Sequence, residues 1–210
     1  QLLASRYNAM LGDARNQIDG LDRKANTDSL TGLLNRHRLE QEVETELKRL
    51  PRADAELAIV MLDIDHFKRI NDARGHLEGD EVLRRLAALL REHTRSSDSI
   101  GRWGGEEFLI VCRDTDLDGA VHLAETLRRR VSEMNLRADR RITCSFGVTD
   151  SRPGDDFEAV FSRADKALYA AKAQGRNRVR SHDPESGGAS RGSTRPDQEQ
   201  KGTARALPPN

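Results

Sequence analysis

Apolar and polar positions along this chain change period several times, and each change marks an element. Ala4, Tyr7, Leu11, Ala14, Ile18, Leu21 and Ala25 recur at alternating three- and four-residue spacing, which predicts a helix with a coiled-coil seam over residues 1–25. A turn-forming stretch from Asn26 to Arg36 follows, then a helix over His37 to Leu50 that Pro51 is expected to stop. Residues 56–63 (ELAIVMLD) are almost continuously apolar and predict a buried strand. A polar loop containing Asn71, Gly75 and Gly79 comes next. Val82, Leu83, Leu86, Leu89 and Leu90 then place one face of a helix over 81–93 in the core.

Two short strands, 99–103 and 108–112, flank Gly104-Gly105 and predict a β-hairpin. A helix over 118–134, a strand over 141–149, a helix over 157–174 and a last short strand over 177–180 complete the pattern. From 56 to 149 the order is β-α-β-β-α-β. That is the α+β, ferredoxin-like or palm-type arrangement, an antiparallel-centred sheet with helices expected on one face. The domain plan is therefore a helical stalk over 1–25, a globular domain over 26–180 and a disordered tail over 181–210. The tail is rich in Ser, Gly, Pro, Arg and Gln, with almost no large apolar residue.

Composition narrows the function classes. Lys plus Arg and Asp plus Glu number 35 each among 210 residues, so the net charge is zero. Bulk nucleic acid or an anionic membrane as main partner calls for a sustained positive field, which this chain lacks. No apolar run is long enough to cross a bilayer. A cytoplasmic location is expected. The chain starts at Gln1 rather than Met, which leaves room for an upstream sensor, membrane-anchored or not. Cys112 and Cys144 each fall in an apolar strand and read as small core residues.

Five groups of residues could carry chemistry. Asp63-Ile64-Asp65 ends the first strand, where carboxylates suit a hard divalent cation, although a capped strand end would look the same. Glu106 and Glu107 follow two glycines, which permit close approach of a ligand to the backbone. Acids there imply either a cation-bridged phosphate or a plain solvated hairpin. In a palm fold the first strand and the hairpin are neighbours, so Asp63 and Glu106 could share a cation. Asn71 and Asp80 could read guanine, with Asp accepting from its N1 and N2 donors, or could be a turn residue and a helix cap. Lys172 and Arg176 are four apart, so they would share a helix face as a phosphate clamp if the helix reaches Arg176. Arg95-Ser96-Ser97-Asp98 pairs a possible Hoogsteen-edge or phosphate ligand with a guanine acceptor, and alone it is a very weak signal.

Read together, four strings resemble the GGDEF family of diguanylate cyclases, in its GGEEF form. Asp28 to Arg36 (DSLTGLLNR) is similar to the family's opening signature. Asp63 to Asp72 (DIDHFKRIND), with Gly75-His76 and Gly79-Asp80, resembles its metal and guanine segment. Arg102 to Phe108 (RWGGEEF) is the signature hairpin. Ala164 to Lys172 and Gly175-Arg176-Asn177 resemble its closing segment.

The resemblance implies roles residue by residue. Asp63, the Ile64 carbonyl, Glu106 and Glu107 would bind Mg²⁺ or Mn²⁺, two ions per site, with Glu106 helping to deprotonate the attacking 3′-hydroxyl. Asn71 and Asp80 would read guanine. The backbone at His66, Phe67 and Lys68 would meet the phosphates, helped by Lys172 and Arg176, and Gly104-Gly105 would lie against the substrate. Arg95 and Asp98 would form an inhibitory product site. The implied reaction joins two GTP into cyclic di-GMP between two facing copies, so a homodimer is expected, with the stalk as its dimerising element. The alternatives are a silent domain that binds GTP or cyclic di-GMP as a receptor, a cyclase using ATP, and a purely structural dimerisation module. The intact acids argue against the first and Asp80 against the second.

Overall fold

The computed structural model describes residues 25–53, 55–134 and 141–182. The stalk seam (save Ala25) and the C-terminal tail (save Ser181 and His182) lie outside them. The elements are α1 (Arg36–Ala53), β1 (Leu57–Ile64), α2 (Phe67–Arg74), α3 (His76–His93), β2 (Ser99–Arg102), β3 (Glu107–Arg113), α4 (Leu117–Glu133), β4 (Cys144–Asp150), α5 (Phe157–Ala173) and β5 (Val179–Ser181).

The five strands lie in the order β2-β3-β1-β4-β5. β1 is antiparallel to both its neighbours, β3 is antiparallel to β2, and β5 joins β4 in parallel. The β-α-β-β-α-β core is therefore present, with β5 added at one edge. All eight residues of β1 are buried, which is why its sequence runs apolar instead of alternating.

Helices cover both faces of this sheet rather than one. Ala58, Val60, Leu62 and Ile64 of β1 pack with Phe108, Ile110 and Phe146 against α3 and α4. Leu57, Ile59 and Met61 pack with Leu109 and Val111 against Leu39 and Val43 of α1 and Val160, Ala164 and Leu168 of α5. The period-two alternation of β1 splits its side chains between these two cores. The one-face expectation holds for the two helices inside the repeat. It misses the second layer, because α1 and α5 flank the repeat in sequence. Gly147 sets how closely α5 can approach. A Cβ there would come within 2.3 Å of the Ala164 carbonyl oxygen and of the Leu168 backbone nitrogen.

Several element bounds differ from the sequence reading. α1 runs through Pro51 to Ala53, since proline removes only one bond at a helix end. Residues 67–74, expected as loop, form α2, and α3 begins at His76 rather than at 81. α2 hides in the pattern because only Phe67, which is buried, and Ile70, which is partly buried, face the core along an otherwise polar octapeptide. Left-handed backbone at His66 (φ 59°) and Gly75 (φ 82°) punctuates it at each end. β4 begins at Cys144, three residues later than expected. Cys112 and Cys144 are buried free thiols. Burial pushes the Cys112 thiol up to about 12 and that of Cys144 well above its usual range.

Candidate active site

The end of β1 and the β2–β3 hairpin lie side by side because of strand register. Asp63 is the cross-strand partner of Glu107, and the Ile64 N–H donates to the Glu106 carbonyl oxygen at 3.3 Å. β3 starts at Glu107, so Glu106 itself belongs to the turn. Burial pushes the Asp63 carboxyl above its usual range, and the Asp65 charge adds to this against the opposing charge of Lys172. Burial, then the Asp63 charge, does the same to Glu106 and to Glu107. Three carboxylates held this close repel one another and favour a cation among them. Lys172 supplies one: its Nζ lies 2.8 Å from Asp63 Oδ2.

Among the described residues, no three His, Cys, Asp or Glu side chains converge as a ready-made metal cage. The donor set nevertheless fits a hard divalent ion. Such an ion takes one or two carboxylates and completes its shell with water and substrate phosphate. The carboxylates of Asp63, Glu106 and Glu107, gathered by the β1–β3 register, are the groups such an ion would use.

Arg102 fixes the hairpin. Its Nη2 donates to the Gly105 carbonyl at 2.7 Å and its Nε to the Gly104 carbonyl at 3.1 Å, while Nη1 reaches Asp28 Oδ2 at 3.2 Å. Asp28 also accepts from the Thr31 N–H and hydroxyl, at 2.8 and 2.7 Å. The opening segment is thereby tied to the Gly-Gly turn. Trp103, one residue on, stacks on Phe157 and Phe161 of α5, and the Arg36 guanidinium lies 4.5 Å over its ring. A Cβ on Gly104 would lie 2.9 Å from Glu107 Oε2 and push that carboxylate aside. Sequence reading gives Arg102, Arg36 and Asp165 no role. Asp165 and Arg36 nevertheless act on Glu107 by charge, in opposite senses. The local hint is that Arg102 stands two residues before the Gly104-Gly105 pair.

Asn71 and Asp80 come from α2 and α3. Asp80 lies in the second turn of α3 rather than at its start, so it is no cap. Asn71 Oδ1 is buried without a hydrogen-bond partner, and a Cβ on Gly79 would approach it to 2.0 Å. An orphaned buried acceptor is costly and marks a place where a ligand donor fits. His66 and Lys68 are exposed and the Phe67 ring is buried, so Phe67 can offer only backbone to a ligand. The α2 N-terminus has no side-chain cap.

Lys172 and Arg176 do not share a helix face, because α5 ends at Ala173 and Arg176 falls in the following turn at φ 62°. They converge in another way: both charges act on Asp63. Arg95 and Asp98 sit before β2, at the opposite end of that strand from the hairpin. A cavity of about 440 Å³ there is lined by Gly32, Arg91, Thr94, Arg95 and Asp98, among others. Asp98 Oδ1 accepts the Arg113 N–H at 3.2 Å, and Arg95 is exposed.

The profile described as "Diguanylate cyclase, GGDEF domain" matches residues 25–178. The chain belongs to the GGDEF family. It is 43% identical over 185 residues to the diguanylate cyclase DgcP of Pseudomonas aeruginosa, covering 85% of this chain and 28% of that protein. The chain thus spans little more than a quarter of that relative's length. The coiled coil and GGDEF domain of DgcB from Caulobacter crescentus, solved in complex with c-di-GMP, superposes with a TM-score of 0.79 at 32% identity, covering 86% of this chain and all of that one. The active GGEEF domain of a diguanylate cyclase from Vibrio cholerae superposes at 0.70 with 39% identity, covering 73% and 99%. As a GGDEF domain, the chain pairs a five-stranded sheet with the β1–hairpin site described above.

Proposed function

We propose that this GGDEF domain is a diguanylate cyclase that condenses two GTP into cyclic di-GMP and two diphosphates. The observation that carries this reading is the register of β1 on β3, which sets Asp63 beside Glu106 and Glu107 with Lys172 at 2.8 Å. Each domain holds one GTP. Two domains face each other, and each ribose 3′-oxygen attacks the α-phosphorus held by the partner. The new 3′O–P bond forms as the bond to the β-phosphate oxygen breaks, and diphosphate departs. Glu106 accepts the 3′-hydroxyl proton.

Two Mg²⁺ (or Mn²⁺) held by Asp63, the Ile64 carbonyl, Glu106 and Glu107 would supply acidification of that hydroxyl and charge neutralisation of the triphosphate. Asn71 and Asp80 accept from guanine, and the orphaned Asn71 Oδ1 supports that role. The backbone of His66, Phe67 and Lys68 at the uncapped start of α2 cradles phosphate, with Arg176, and with Lys172 once it leaves Asp63. Gly104-Gly105 lies against the substrate. The cavity at Arg95 and Asp98 takes the product as an inhibitor. The stalk brings two copies together, in the bacterial cytoplasm, under an upstream sensor.

The test is incubation of the protein with GTP and Mg²⁺ followed by chromatographic separation of products. Cyclic di-GMP from GTP, and none of the corresponding product from ATP, is expected. A protein that forms dimers and binds GTP yet yields no cyclic product is a receptor instead.

A further inference from the structure

Asp65 lies two residues beyond Asp63, yet the two carboxylates are committed differently. Asp65 is 6% exposed and accepts three hydrogen bonds. Thr143 Oγ1 and Ser145 Oγ donate to Oδ2 and Oδ1, each at 2.7 Å, and the Asn177 N–H donates to Oδ2 at 3.0 Å. The Asp65 N–H in turn donates to the Thr143 carbonyl at 2.9 Å. With both oxygens engaged by protein donors, this carboxylate is a poor candidate for a metal shell.

The Asn177 contact falls on an unusual piece of backbone. Gly175, Arg176 and Asn177 are consecutive residues at φ 113°, 62° and 45°. A non-glycine residue held left-handed is strained and persists only where surrounding contacts determine it. Here the Gly175 N–H donates to the Lys172 carbonyl at 3.4 Å, the Arg176 N–H to the Ala171 carbonyl at 3.1 Å, and Arg178 Nε to the Arg176 carbonyl at 3.0 Å, while Asn177 Oδ1 accepts from Arg128 at 3.0 Å and the Asn177 N–H goes to Asp65. Only the last of these ties the turn to the end of β1, where Asp63 stands.

We propose that Asp65 is a positioning residue: through the Asn177 N–H it locks the left-handed turn that presents Arg176 to the triphosphate beside Asp63. Thr143 and Ser145 orient the Asp65 carboxylate for this task. The inference rests on the proposed cyclase reading, in which Arg176 meets phosphate.

The experiment compares GTP kinetics and Mn²⁺ binding for Asp65→Asn, Arg176→Ala and the double variant. Asp65→Asn is expected to raise KM for GTP by roughly an order of magnitude, as misplacement of a substrate ligand does. Mn²⁺ binding without nucleotide should stay as in the parent. The double variant should be no worse than Arg176→Ala alone, since both changes remove one contact. Asn177→Gly, which tolerates left-handed backbone freely, should recover part of the loss in the Asp65→Asn background. A merely structural brace of β4 would not respond at 177. Thr143→Val, a milder change, should raise KM in the same direction even if Asp65→Asn folds poorly. Loss of Mn²⁺ binding in Asp65→Asn would make it a metal ligand and overturn the proposal, as would additive effects of the two substitutions. If Arg176→Ala leaves KM unchanged, the phosphate role of Arg176 itself fails.

Discussion

Lys172 Nζ sits 2.8 Å from Asp63 Oδ2, so the cation expected to hold phosphate is spent on the carboxylate expected to hold metal. Nucleotide can release it, because a triphosphate offers Lys172 another partner. Metal alone cannot, and must displace the ammonium. Lys172→Met should therefore strengthen Mn²⁺ binding without nucleotide by about tenfold, the scale of one charge pair of about 1–2 kcal/mol. GTP turnover should fall in the same variant. Electron paramagnetic resonance of free Mn²⁺ reads the first effect, and weaker Mn²⁺ binding in Lys172→Met would show that the pair does not compete with metal.

Gly79 should be intolerant for function rather than stability. Alanine in a helix interior ordinarily gains about 1 kcal/mol over glycine. Here the new Cβ would come to 2.0 Å from Asn71 Oδ1, the end of a side chain that can swing away, and to 3.1 Å from Phe67 Cζ, which a shift of a few tenths of an ångström relieves. Gly79→Ala is therefore expected to keep its melting temperature within a few degrees while KM for GTP rises tenfold or so, given about 1–2 kcal/mol for a lost acceptor. Calorimetry and GTP titration separate the two, and unaltered GTP binding would remove Asn71 from the guanine site.

The Asp28–Arg102 link predicts a pH signature. Burial pushes the Asp28 carboxyl up, but the hydrogen bonds from Thr31 and the Arg102 charge outweigh it and hold it below its usual range. A depressed folded-state carboxylate stabilises the fold above its unfolded value, and the gain vanishes as pH falls through the folded value. Asp28→Asn should cost about 1–2 kcal/mol at pH 7, and the gap to the parent should close only as pH falls below the ordinary carboxylate range. Denaturant unfolding across pH checks this; a gap that stays constant would mean the charge is not the cause.

Arg95 is exposed at the rim of the roughly 440 Å³ cavity before β2. Arg95→Ala should relieve inhibition by added cyclic di-GMP and leave initial turnover intact, because the hairpin is a full strand away. Progress curves with and without product test this, and undiminished inhibition would mean that the product acts elsewhere.

Most of the fold was legible in the sequence because the buried run of β1, the amphipathic face of α3 and the Gly-Gly hairpin each carry a strong local pattern. α2 was not. It is held by the buried Phe67 ring and the partly buried Ile70, and two apolar positions in eight residues are too few to show a period. The second helical layer was illegible for a different reason, since nothing local tells α1 and α5 which face to cover. At the site, the Asp63–hairpin neighbourhood followed from strand order alone. The division of labour between Asp63 and Asp65 did not, because it depends on Thr143, Ser145 and Asn177, distant in sequence.

The central claim is that the carboxylates at the β1–hairpin junction drive cyclisation of GTP. Glu106→Gln tests it most directly, because it keeps the size of the side chain and removes the charge. Conversion of GTP to cyclic di-GMP should be measured by chromatography and mass spectrometry for parent and variant in Mg²⁺. The account predicts product from the parent and a drop of at least about a hundredfold in Glu106→Gln, on the scale of losing a general base. Comparable product from both proteins would contradict it.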